Sequence, residues 1–180
     1  EKGIIPVAEL LGDKIDFEIK FVNYAMHGEK ELDEQTRQYC IQKEQNEKYL
    51  PYLKCFLKAG ESESCIEEAE IDTTSLELCE QLTDAEYKIT ENFEDKSTWK
   101  GNFPPFNIHD EENQMYGVRG SPALVINGVT ASAGRDSASL LKAVCTGFIE
   151  RPEECDTELD SASPSPGFGF EPSAAGATDA

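Results

Sequence analysis

Gly120-Ser121-Pro122-Ala123-Leu124-Val125-Ile126-Asn127-Gly128-Val129-Thr130 is the stretch whose reading decides the fold. Asn127-Gly128 between apolar residues predicts a two-residue hairpin turn, because both central positions of the tight turn need positive φ. Pro122 has no N–H to give to a ladder, so it marks the start of the leading strand. After the hairpin, residues 136–148 predict a helix with Leu140, Leu141 and Val144 inward. Before it, Asn107 can cap a helix over 108–116 that Gly117 ends. Asp110, Glu111 and Glu112 fall in the first turn of that helix, where carboxylates favour the helix dipole. We read them so rather than as a calcium site. His109 sits in the same turn and is expected to be exposed.

Nearer the N-terminus, Ile4, Val7, Ala8 and Leu11 share one face of a predicted helix over 1–11, and Gly12-Asp13 ends it. This helix opens at Glu1 with no capping residue before it, so we expect further chain upstream. Ile15, Phe17, Ile19 and Phe21 then alternate with Asp16, Glu18 and Lys20, the period-two pattern of a half-buried strand. From Glu31 to about Phe93 the periodicity is helical. Helices are predicted over 32–44, 47–58 and 62–69, with Gly60 as a C-cap, and a longer one capped by Asp72-Thr73 runs toward residue 93. Pro104-Pro105 excludes regular structure around it. From Asp156 onward Ser, Pro, Gly, Ala and acids dominate, a composition that buries too little to offset its ordering entropy. The order of elements predicts an α/β sheet interrupted by an all-helical insertion. It divides the chain into a core (1–28 with 106–155), an insertion (29–105) and a disordered tail (156–180).

The net charge of −20 repels phosphate backbones and anionic lipid surfaces, so neither nucleic acid nor membrane is an expected partner. No apolar run approaches bilayer-spanning length. The six cysteines are an even number, all before residue 156, and the only histidines are His27 and His109. Zinc sites usually space ligand pairs two to four residues apart, and these gaps are longer, so we expect structural disulfides, no metal and an oxidising compartment. Cys145 and Cys155 straddle the end of the last helix. Cys55 and Cys65 lie on consecutive helices joined at Gly60, which leaves Cys40 with Cys79. The alternative exchanges partners among the four central cysteines. A reactive thiol is not expected. Cys40, Cys55 and Cys79 lie within or late in helices, and Cys65 is surrounded by Glu61, Glu63, Glu67 and Glu68, all of which disfavour a thiolate.

The segment Tyr116-Gly117-Val118-Arg119-Gly120-Ser121-Pro122, the strand-and-loop of residues 15–28 and the last helix together resemble the DsbA-like branch of the thioredoxin superfamily. The segment 24–45 also resembles secreted, multi-cysteine thioredoxin-like proteins. The resemblance implies a thioredoxin-like fold with a helical insertion, a cis bond before Pro122, and a redox cysteine motif that lies upstream of Glu1. It implies thiol–disulfide exchange with protein or peptide thiols and disulfides, no cofactor, and an extracytoplasmic location (secreted, periplasmic or cell-surface). Gly120, Ser121 and Pro122 would then shape the substrate groove, with His27 as a further candidate at the strand end. Residues 1–180 by themselves are expected to be inactive. The alternative is a non-catalytic extracytoplasmic binding module stabilised by structural disulfides.

Overall fold

The computed structural model describes residues 1–171, and the last part of the expected tail, 172–180, lies outside the described residues. Among the described residues the chain forms eight α-helices and one two-stranded antiparallel sheet. The α/β expectation is therefore overturned: the protein is mostly helical, without the multi-stranded sheet of a thioredoxin fold. The chain divides into two compact units, one of residues 1–17, 54–61 and 123–180, the other of residues 18–53 and 62–122.

In the first unit, helix α1 (Ile5–Leu11) starts with Pro6 in its first turn, where the missing N–H costs nothing, and buries Ile5, Val7, Ala8 and Leu11. Strands β1 (Leu124–Ile126) and β2 (Val129–Ala131) pair with Leu124 opposite Ala131. Asn127 and Gly128 take φ of 49° and 80°, the positive values the hairpin demands. Helix α8 (Ser137–Val144) is capped by Asp136, whose carboxylate accepts from the Ser139 N–H at 2.8 Å. Val7, Leu11, Leu141, Cys145 and Cys155 form one core cluster, and the Cys145–Cys155 disulfide lies inside it.

Residues 157–171 make defined contacts with the rest of the first unit. Leu159 packs on that core. The Ala138 N–H bonds to the Asp160 carbonyl, and the Gly169 N–H bonds to the Leu57 carbonyl at 2.9 Å. Lys2 Nζ donates to the Ser165 and Gly169 carbonyls. Phe168 stands edge-on to Phe56 with centroids 5.4 Å apart.

The second unit carries most of the helix. Helix α2 (Glu29–Glu44) is joined by α3 (Asn46–Ala59), whose last residues belong to the first unit, and by α4 (Ser62–Glu68). The long helix expected toward residue 93 is two helices, α5 (Thr73–Tyr87) and α6 (Ile89–Glu94). They break at Lys88, which adopts the left-handed conformation, and Asp84 accepts from the Thr90 N–H across the break. Helix α7 (Asp110–Met115) completes the unit. Phe21, Ala25, Leu32, Ile89, Phe106 and Ile108 form its core, and Cys40–Cys79 ties α2 to α5 with Cα atoms 5.7 Å apart. Closing loops of about this length, 39 residues here and 10 for Cys145–Cys155, is worth ~4 and ~3 kcal/mol in the chain-entropy account.

The expected strand at residues 15–22 is the chief correction. The alternation is real, since Phe21 is buried and its polar neighbours Glu18 and Lys20 are exposed. Yet the segment joins no sheet. Side chains satisfy its backbone instead. Gln42 accepts from the Ile19 N–H at 2.7 Å and donates to the Ile19 carbonyl at 3.1 Å. His109 Nδ1 accepts from the Phe21 N–H at 3.0 Å, and Asn113 donates to the Phe21 carbonyl at 2.9 Å. His109 is therefore buried, contrary to expectation, and its burial pushes its pKa down to about 4.

A second buried polar group holds the helices together. Glu34 on α2 accepts from Gln38 at 2.8 Å, Ser62 at 2.7 Å, Tyr52 at 3.0 Å and Arg37 at 3.2 Å. Arg37 also reaches Glu80 at 3.7 Å. Burial, with the Glu34 charge beside it, raises the Tyr52 hydroxyl well above the ordinary tyrosine range.

Candidate functional site

The residues around Gly120-Ser121-Pro122 border a cleft of about 390 Å³, lined by Asn23, Asn113, Gln114, Gly117, Val118 and Arg119. Its walls follow from local backbone choices. Asn23-Tyr24-Ala25 runs antiparallel to Pro104-Pro105-Phe106, through Ala25 N–H to the Pro104 carbonyl at 3.0 Å and Phe106 N–H to the Asn23 carbonyl at 3.2 Å. Pro104 and Pro105 have no N–H, so only this sparse pairing is open to them. The pairing sets Tyr24 against Phe103, their rings stacked with centroids 5.7 Å apart. Gly120 lies beside the same tyrosine, since a Cβ there would sit 3.7 Å from its hydroxyl.

The other wall is the end of α7. Gly117 ends the helix at a φ of 65°, a conformation that favours glycine. The Val118 N–H returns to the Asn113 carbonyl at 2.8 Å, and the chain then runs out through Arg119 to an exposed Ser121 and Pro122. The Ser121–Pro122 bond is cis.

The electrostatics turn on Asp110. Asn23 donates to one of its oxygens at 2.6 Å and Gln114 to the other at 2.7 Å. The Asn23 bond, with that of Gln114 and the nearby Lys100 charge, holds its carboxyl below the ordinary range. Asp110 thus braces the cleft through Asn23 and Gln114.

His27 is not part of this arrangement. Its side chain is 83% exposed and pairs with Glu31, Nδ1 to Oε2 at 3.1 Å, in the first turn of α2. Sequence reasoning passed over Asn23, Asn113 and Gln114. Polar amides at a helix end and a strand-like end carry no chemical signature until the fold brings them to one wall.

The cysteines are all committed. Cys40–Cys79 and Cys145–Cys155 are bonded, Cys55 and Cys65 are bonded too, and no free cysteine remains. None lines the cleft. Among the described residues no three His, Cys, Asp or Glu side chains gather as a metal site, and no helix is long and apolar enough to cross a membrane. The cleft lining offers side-chain amides and one guanidinium, and Tyr24, next in the chain to the lining residue Asn23, stacks on Phe103. No family model, no curated protein and no solved structure matches the chain.

Proposed function

We propose that the chain docks an extended polypeptide segment along Gly120-Ser121-Pro122 in the service of thiol–disulfide exchange, in an extracytoplasmic compartment. The observation that carries this reading is the exposed Ser121-Pro122 backbone at the rim of an amide-lined cleft, with the Tyr24–Phe103 pair beside it. Exchange itself needs a thiolate, which attacks a substrate disulfide, forms a mixed disulfide and releases the other sulfur as a thiolate. The six cysteines are all bonded, so on this reading exchange needs a thiolate other than these six. Bonded cysteines also fit an oxidising compartment.

A second reading has an observation of its own. A cleft without a thiol fits a binding module that docks the same segment and does no chemistry. A Cys-x-x-Cys, or a single cysteine, in the chain before Glu1 favours exchange, and its absence favours binding alone. The shared part of both readings is tested on residues 1–180. Titration with an extended, cysteine-free peptide should shift the backbone resonances of Tyr24 and residues 117–122, and the same protein should show no insulin-reductase turnover. Peptide-induced shifts confined to other surfaces would refute the docking assignment. Turnover comparable to that of a thioredoxin would place a reactive thiol among the six cysteines.

A further inference from the structure

The polar groups lining the cleft are unevenly used. Asn23 spends an amide hydrogen on Asp110, Gln114 does the same, and Asn113 spends one on the Phe21 carbonyl. No hydrogen bond engages their amide oxygens among the described residues, so the lining keeps three carbonyl acceptors. Its one formal charge is the guanidinium of Arg119, which is exposed and, among the described residues, makes no ion pair, hydrogen bond or ring contact. This happens in a chain with 36 Asp and Glu against 16 Lys and Arg, where an arginine finds carboxylates easily. Asp110, the acid that these amides engage, already takes the two amide hydrogens.

A ligand that matches this lining brings N–H donors for the amide oxygens and an anion for the guanidinium. Backbone N–H groups of an extended peptide supply the first. Arginine's planar fork of donors fits a carboxylate in two parallel bonds. A neutral or basic side chain would leave the guanidinium without a partner.

Resting on the docking reading above, we infer that the docked segment carries a carboxylate and that Arg119 is the residue that selects it. The carboxylate comes from an aspartate or glutamate side chain. It binds against an overall negative charge because that repulsion is screened beyond about 8 Å at physiological salt, whereas a direct contact is not.

The test uses residues 1–180 and two acetylated, amidated peptides, Thr-Val-Glu-Val-Thr and Thr-Val-Gln-Val-Thr, titrated at 0.15 M salt. An exposed pair of this kind predicts about 1.5-fold to fivefold tighter binding of the glutamate peptide. Arg119→Gln should erase that preference, bringing the two peptides to equal affinity, and Arg119→Lys should restore part of it. Equal affinity of the two peptides for the natural protein overturns the inference and leaves docking standing. So does an Arg119→Gln loss that falls equally on both peptides. Failure of both peptides to bind the natural protein overturns the docking reading and this inference with it.

Discussion

His109 offers a sharp test of how the second unit is held together. Its ring is 5% exposed and packs 5.9 Å from Phe21 and 5.7 Å from Tyr39, centroid to centroid. Nδ1 accepts the Phe21 N–H, so the ring is neutral with its proton on Nε2. Protonation would set one N–H against another. Burial, reinforced by the Lys20 charge and partly offset by Glu112 and Glu18, lowers its pKa from 6.5 to about 4. At 1.36 kcal/mol per pH unit that difference is worth ~3 kcal/mol, trimmed to ~2 kcal/mol by solvent screening near the exposed Lys20 and the half-buried Glu112. The folded state binds the proton less readily than the unfolded chain does. The contribution is therefore complete above pH 6.5, falls as the pH drops toward 4, and is spent below that.

The perturbation is His109→Asn, which keeps an acceptor near the position of Nδ1 and suits the start of α7, but does not titrate. Urea unfolding followed through Trp99, the only tryptophan, reports the second unit directly. Asparagine should cost ~1 kcal/mol at pH 7 through lost ring packing. Between pH 7 and pH 4.5 the natural protein should lose ~1.5 kcal/mol more than the variant, about 0.7 M in urea midpoint. Other carboxylates titrate equally in both proteins and cancel in the comparison. A variant with the pH dependence of the natural protein would refute the reasoning, because the slope would then belong to groups other than His109.

Replacing Glu34 with Leu strands the Arg37, Gln38, Tyr52 and Ser62 donors together and should cost ~3–5 kcal/mol in the same assay. A loss under 0.5 kcal/mol would mean that water replaces the carboxylate freely. Gly60 has a φ of +76°, and a Cβ there would lie 2.6 Å from the Phe168 ring. Gly60→Ala should cost ~1–2 kcal/mol for the backbone alone and should speed chymotryptic cleavage after Phe168. Added to a Phe168→Ala background, the same change should cost the backbone part only. An unchanged cleavage rate would show that the ring is not seated there.

What the sequence made legible were local instructions. The Asn127-Gly128 turn, the Asp72 cap and the apolar stripe of α1 are each written in residues a few positions apart, and all stand in the structure. The Cys40–Cys79 and Cys145–Cys155 bonds join the pairs that helix placement suggested. Fold class failed at residues 15–22 because a period of two reports an extended, half-buried chain and says nothing of what its backbone bonds to. Here Gln42, His109 and Asn113, far along the sequence, take the place of neighbouring strands. The break at Lys88 carried no glycine or proline to announce it. At the cleft, Gly120-Ser121-Pro122 was readable as a motif, whereas its amide wall and the solitary state of Arg119 depend on which distant carboxylate each donor finds.

Tension applied to the chain at Thr157 does not pass through residues 146–154. It crosses the sulfur bridge from Cys155 to Cys145 and arrives at the foot of α8. The bypassed stretch, a separation of ten, would otherwise lengthen by about 30 Å at 3.3–3.6 Å per residue. Without that slack the first unit behaves as a stiff coupling. A pull must shear Leu141 away from Val7 and Leu11 before the chain yields any length.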